Sequence, residues 1–207
     1  MSKIKYFIQQ SWLLLLTSFL FGLLIAVADA AWSARIEQNK AEKLRGLMAN
    51  LISDANSFEI AIKDASLPGD KGRMVKTNIY KALDKQGNCL GFSFVAVGAG
   101  FADKIELVVA TDAACEKLLG FNVLSSNETP GFGDNMKNDS FRSQFKDAPA
   151  GELSLVKIGD SGKIDNEIVT ITGATITSTA VINIFNKSVM SVKEQLTGKG
   201  LLTGDGR

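Results

Sequence analysis

The chain has no histidine, and its only two cysteines, Cys89 and Cys115, each stand without a second candidate ligand beside them. Without imidazole or clustered thiolates, most transition-metal sites, histidine-ligated haem and histidine acid–base catalysis are excluded, as is an iron–sulfur cluster held by this chain alone. Net charge is nearly absent too: 23 Lys and Arg against 22 Asp and Glu leave +1, so no nucleic-acid partner is expected. No glycine-rich nucleotide fingerprint follows a strand-like run. Redox chemistry in such a chain has to use a borrowed organic cofactor.

What is present begins with a membrane signal. Trp12 to Ala28 reads WLLLLTSFLFGLLIAVA, uncharged and preceded by Lys3 and Lys5. Ala28-Asp29-Ala30 resembles a signal-peptide cleavage site, but the apolar run is longer than a usual signal core. Trp12 and Trp32 are also spaced like interfacial anchors at the two ends of a span. The expectation is a permanent single-pass helix over 12–32 in the cytoplasmic (inner) membrane. By the positive-inside rule, residues 1–11 lie in the cytoplasm and everything after Trp32 on the periplasmic side.

From Ala34 to Ile52 the pattern is helical, with Leu44, Leu47, Met48 and Leu51 along one stripe. This predicts a helical stalk over 33–70 whose helix docks its last turns on a domain, with Pro68-Gly69-Asp70 marking the boundary. A hydrophobic content of 45% in 207 residues suits one domain, over 71–197, beside the apolar segment, with a tail over 198–207. Within the domain, 78–83, 91–97, 105–110 and 119–124 read as short strands separated by turn signals, hence antiparallel hairpins. The stretches 84–92 and 112–121 look like variants of one turn-and-strand unit, each carrying a cysteine. Outside the cytoplasm a disulfide between them and two separate buried thiols are both open. Asn138 to Phe145, with Phe141 and Phe145 four apart, predicts a short core helix.

Two stretches carry chemistry. In the first, a strand-like run over Ile168–Ile171 meets Gly173, and a helix follows with Val181, Phe185, Val189, Val192 and Leu196 on one face. Ser178 or Thr179 is the expected N-cap. A glycine turn into a helix start aims backbone amides outward at the positive end of the helix dipole, which makes an anion site. Thr172, Thr175, Thr177 and Ser178 add hydroxyls for a phosphate there; the plainer alternative is a capped turn with surface threonines. The second stretch is Asn127 to Asp134, NETPGFGD, in which Pro130-Gly131 sets a tight turn. Gly133 would let the backbone approach a flat ligand, and Glu128 and Thr129 would present an acceptor and a hydroxyl.

Taken together, ETPGFG at 128–133 and TGATITS at 172–178, downstream of one apolar helix, resemble the paired signatures of the FMN-binding domain in the G subunit (RnfG) of the Rnf electron-transport complex. The same domain occurs in the C subunit of the sodium-pumping NADH:quinone oxidoreductase. The resemblance covers about residues 71–197 and implies an α+β protein: a single N-terminal transmembrane helix, then an FMN-binding domain with antiparallel strands and packed helices. It implies covalent FMN, attached by a flavin transferase that joins the phosphate to the last threonine of an Asp-x-x-(Ser/Thr)-Gly-Ala-Thr pattern. Thr172, Gly173, Ala174 and Thr175 match, making Thr175 the attachment point, and Thr177 and Ser178 match the common continuation. Val169 stands where the pattern has Asp, with Glu167 the nearest acid.

Glu128 and Thr129 are implied to contact the flavin ring, Gly131 and Gly133 to leave room for it, and Gly98 to Phe101 resembles a glycine turn of the family. No residue is implied to be catalytic, since Thr175 is a tether. The function implied is a membrane-anchored electron carrier among the other membrane subunits of an Rnf complex, which couples ferredoxin–NAD electron transfer to Na⁺ or H⁺ movement. The alternatives are the C subunit of the sodium pump and a non-redox ectodomain that lost its flavin.

Overall fold

The computed structural model describes residues 3–202, with side chains from Gln10 onward except that of Lys71. The side chains of Lys3 and Lys5, on which the membrane orientation rests, and residues 203–207 of the tail lie outside that description. The chain forms two compact units, one ending at Lys43 and the other beginning at Leu44. The described residues of the first are all helical and belong to α1, Lys3–Leu51. Its most apolar 18-residue window has a mean hydropathy of 2.3 and is not buried by protein, so by length and composition the helix can cross a membrane.

The second unit is built on a five-stranded antiparallel meander in sequence order. Its strands are β1 Ser57–Pro68, β2 Met74–Leu83, β3 Cys89–Ala99, β4 Lys104–Asp112 and β5 Leu118–Ser125. Side chains alternate across the sheet, so β4 feeds both faces: Ile105, Leu107 and Val109 enter one core while Val108 and Ala110 enter the other. The first face is covered by α3, Thr175–Gly198, through Val181, Phe185, Val189, Val192 and Leu196. Gly98 permits that contact, because a Cβ there would overlap Ile184. The opposite face receives the apolar stripe Leu44, Leu47, Met48 and Leu51 at the end of α1. Asn122 Nδ2 donates to the Leu47 carbonyl at 3.1 Å, a bond that ties β5 to the last turns of α1.

Below β5, α2 (Asp139–Arg142) runs into a 3-10 turn over Ser143–Phe145 and buries Phe141 and Phe145, where the sequence predicts a core helix. A short parallel pair, β6 Ser154–Val156 and β7 Glu167–Val169, follows and leads directly to the threonine turn.

Residues 57–68, expected as stalk, are instead the first strand, and Pro68-Gly69-Asp70 is part of the turn between β1 and β2. The strand is hidden in the sequence because its register shifts between Ile60 and Ile62 and again between Ile62 and Ala65, with Asp64 at φ 52. Each irregularity breaks the period-2 pattern on which a strand is recognised.

Cys89 and Cys115 are both free. Cys115 is buried with its sulfur 3.3 Å from Thr111 Oγ1, and burial pushes both thiols up from their ordinary range. Thiolate is the reactive form, so iodoacetamide at neutral pH is expected to label both slowly in the folded chain, Cys115 slower than Cys89. Mass spectrometry after timed labelling checks this; rapid labelling of Cys115 without unfolding would contradict it.

Candidate functional site

The site forms where α3 begins. Gly173 has φ 78, a conformation that favours glycine, and the turn closes through Ala174 N–H to the Ile171 carbonyl at 3.0 Å. Behind it, the Gln144 amide clamps the backbone of Val169. It accepts the Val169 N–H at Oε1, 2.7 Å, and donates from Nε2 to the Val169 carbonyl at 3.3 Å. α3 then starts at Thr175 with Ala174 in the capping position and no side-chain cap. The N–H groups of Thr175, Ile176 and Thr177 therefore have no acceptor within the helix and take none elsewhere among the described residues.

Ser178 and Thr179 are not the N-cap that their place before an apolar run suggests. Ser178 Oγ accepts the Ile171 N–H at 3.0 Å and donates to the Ala174 carbonyl at 3.0 Å, stapling the turn to the helix from inside. Thr179 donates to the Thr175 carbonyl at 2.9 Å. Thr177 is buried, and its hydroxyl donates to Glu128 Oε2 at 2.5 Å. Of the four hydroxyls expected at a phosphate, two are thus engaged inside the protein. Thr172 and Thr175 are exposed, and their hydroxyls have no partner among the described residues.

The second stretch comes to meet the first. Thr129 carbonyl accepts the N–H groups of Phe132 at 3.1 Å and Asp134 at 3.2 Å, curling the ETPGFGD segment onto itself. Between this loop and the start of α3 lies a cleft of about 510 Å³. Phe101, Glu128, Thr129, Phe132 and Gly133 line one side and Gly173 through Thr177 the other. Thr175 is thereby the one partner-free hydroxyl of the four that borders the cleft. Thr172 faces a neighbouring cleft with Asn135, Asn138 and Gln144.

Three expectations change on this geometry. Glu128 borders the cleft, but both its oxygens already accept hydrogen bonds: Oε2 from Thr177, and Oε1 from the N–H groups of Phe101 at 2.8 Å and Ala102 at 3.0 Å. Gly133 is glycine because a Cβ would come within 2.5 Å of Glu128 Oε2 and 2.6 Å of Thr177 Oγ1, a reason internal to the protein. Gly131 lies outside the cleft lining; its φ of 78 and its carbonyl, which accepts Asn135 Nδ2 at 2.9 Å, serve the turn.

Sequence reasoning passed over Phe132 and Ile176, although both stand inside the two motifs. With Phe101 they are 56%, 60% and 64% exposed, three large apolar side chains bordering one cleft. A bulky aromatic in an otherwise glycine-rich turn was the available signal, since an exposed apolar cluster marks a binding surface.

The cleft suits FMN. Its volume falls within the roughly 300–1,000 Å³ usual for small-molecule sites. Its aromatic walls match a flat ring, and the unpaired amides of the first turn of α3 match a phosphate. The described residues hold no cluster of potential metal ligands.

Comparison with known proteins places these features in context. The FMN-binding domain family matches residues 100–190, a range that contains every residue lining the cleft. The chain is 34% identical over 184 residues to the G subunit of the proton-translocating ferredoxin:NAD(+) oxidoreductase complex of Clostridium ljungdahlii, covering 89% of this chain and 88% of that one. It is 29% identical to the G subunit of the ion-translocating oxidoreductase complex of Methanosarcina acetivorans, over 83% of this chain and 87% of that one. Among solved structures, the C subunit of the Na(+)-translocating NADH-quinone reductase from Parabacteroides distasonis shares the fold. The TM-score is 0.53 at 20% identity, over 83% of this chain and 98% of that one.

Proposed function

Because the chain belongs to the G-subunit family of ion-translocating oxidoreductase complexes, we propose that it is the membrane-anchored electron carrier of such a complex, with FMN joined through its phosphate to the Thr175 hydroxyl. The observation that carries this reading is the coincidence at one point of an exposed hydroxyl without a partner and a helix start whose amides have none. FMN when bound supplies one- and two-electron redox chemistry that no side chain of this protein offers.

The residues divide the remaining work. The N–H groups of Thr175, Ile176 and Thr177, at the positive end of the α3 dipole, hold the charge that a phosphodiester keeps. Phe101, Phe132 and Ile176 offer apolar walls and exclude water from the ring. Ser178 and Gln144 fix the turn from behind, so the backbone that carries Thr175 is held against the start of α3. Val169, where the attachment pattern has Asp, lies outside the cleft lining with its backbone held by Gln144. The substitution thus leaves the cleft intact, and a flavin transferase meets Thr172, Gly173 and Thr175 exposed on the folded chain.

The complex to which the carrier belongs is a redox translocase coupling ferredoxin:NAD⁺ electron transfer to ion movement, and its other membrane subunits are the electron partners. Lys3 and Lys5 before the apolar helix support an extracytoplasmic position for the FMN domain. The test is direct: detergent-purified chain made beside a flavin transferase should show flavin absorption that bleaches with dithionite, returns in air and stays with the protein after acid precipitation. Colourless protein from that preparation would contradict the reading.

A further inference from the structure

Glu128 is 5% exposed, and no ion pair among the described residues neutralises its carboxylate. Removing a carboxylate from water is costly, so a group in this position persists only where donors replace its hydration. Here they come from two separate pieces of chain. The successive N–H groups of Phe101 and Ala102, in the turn after β3, form a small anion nest around Oε1. Thr177, in the first turn of α3, supplies Oε2.

The surrounding backbone has been shaped to this carboxylate. A Cβ at Gly100 would overlap Oε1, as one at Gly133 would crowd Oε2. A second strap, Asn127 Nδ2 to Asp103 Oδ2 at 2.9 Å, ties the same two loops one residue away.

We infer that Glu128 is a positioning residue that clasps the Phe101 turn and the first turn of α3 into one cleft geometry, and that it acts on a flavin through Phe101 and Thr177 rather than by touching the ring. The inference rests on the flavin-carrier reading for its function, but the clasp itself is a property of the chain alone. Its hydrogen bonds are charge-assisted, hence stronger than neutral ones. The Phe101 turn is otherwise closed by one backbone bond, Gly100 N–H to the Asp103 carbonyl at 2.7 Å, and by the Asn127 strap. Thr177 lies two residues after Thr175, so the same bond that holds Glu128 holds the tether.

The test uses the full-length chain as wild type, Glu128→Ala, Glu128→Gln, Thr177→Val and Thr177→Ser, each with and without FMN attached. In unloaded Glu128→Ala, amide hydrogen exchange at Phe101 and Ala102 is expected to quicken roughly tenfold or more while the β3–β4 ladder keeps its wild-type rate. Glu128→Gln retains a carbonyl acceptor and should protect these amides in part. In loaded protein, Glu128→Ala and Thr177→Val are expected to retain FMN through denaturation yet show lower flavin fluorescence anisotropy and a weakened visible circular-dichroism band. Thr177→Ser should restore both.

Unchanged anisotropy and exchange in Glu128→Ala would overturn the clasp. So would a shift of flavin potential in Glu128→Gln while Glu128→Ala leaves both signals unmoved, which would make Glu128 a ring contact. If Glu128→Ala does not fold, Thr177→Val decides: wild-type anisotropy there overturns the inference. Wild-type chain that takes up no flavin sinks the carrier reading, and exchange in the unloaded variants still decides the clasp.

Discussion

A Thr175→Ala chain made beside a flavin transferase is expected to leave a denaturing gel with no flavin fluorescence at all, a complete loss where the wild type glows. The size of the effect follows from the kind of bond. A non-covalent ligand that loses one hydrogen bond is weakened by about 1 kcal/mol, whereas a phosphoester cannot form once the side-chain oxygen that would bridge to phosphorus is gone. Among the hydroxyls of the turn the geometry favours that oxygen: Ser178 and Thr177 are committed to Ala174 and Glu128, and Thr172 faces a different cleft. Thr172→Ala is therefore expected to stay fluorescent, and loss of fluorescence there with retention in Thr175→Ala would reassign the tether. Because Thr175 is exposed and its hydroxyl has no partner to lose, Thr175→Ala should also unfold at the wild-type urea concentration.

Phe121→Ala is expected to cost about 3–5 kcal/mol of domain stability. The ring is 1% exposed and lies edge-on to three others, with centroids 6.4 Å from Phe141, 4.8 Å from Phe145 and 5.4 Å from Phe185. Its carbonyl accepts Arg142 Nε at 3.0 Å, so one residue of β5 joins the sheet to α2 and, through Phe185, to α3. Truncation leaves a cavity among rings that cannot collapse without moving α3, whose seat sets the height of Thr175. For a domain of this size the loss corresponds to a fall of roughly 10 °C or more in Tm. Urea unfolding followed by far-ultraviolet circular dichroism measures it; a loss under about 1 kcal/mol would mean the cluster relaxes around the gap.

The glycine turn into α3 was legible because everything that makes it is local. A strand run, a glycine that adopts φ 78 and an amphipathic helix follow one another within about ten residues, and their order alone implies free amides at the helix start. The docking stripe of α1 was legible for the same reason, since Leu44, Leu47, Met48 and Leu51 repeat at the helical period and bury against the sheet.

What escaped the sequence depends on partners far along the chain. Nothing near Thr177 says that its proton goes to Glu128, 49 residues earlier, so it was read as a phosphate donor. Gly133 was read as room for a ligand, although the space it leaves is taken by that same pair. Ser178 was read as a cap because a hydroxyl before an apolar run usually is one; its bond back to the Ala174 carbonyl places the helix start earlier. β1 was lost to its two register shifts, and the parallel β6–β7 pair, at three residues a strand, is too short to show a period.

A flavin phosphate on Thr175 would be visible in fragment-ion mass spectrometry of the tryptic peptide Ile164–Lys187 from flavin-loaded wild-type protein. One added FMN, less one water, is expected on fragments that contain Thr175 and on none that end before it. An unmodified peptide from protein that nonetheless carries flavin, or the same added mass on Thr172, Thr177 or Ser178, would contradict it.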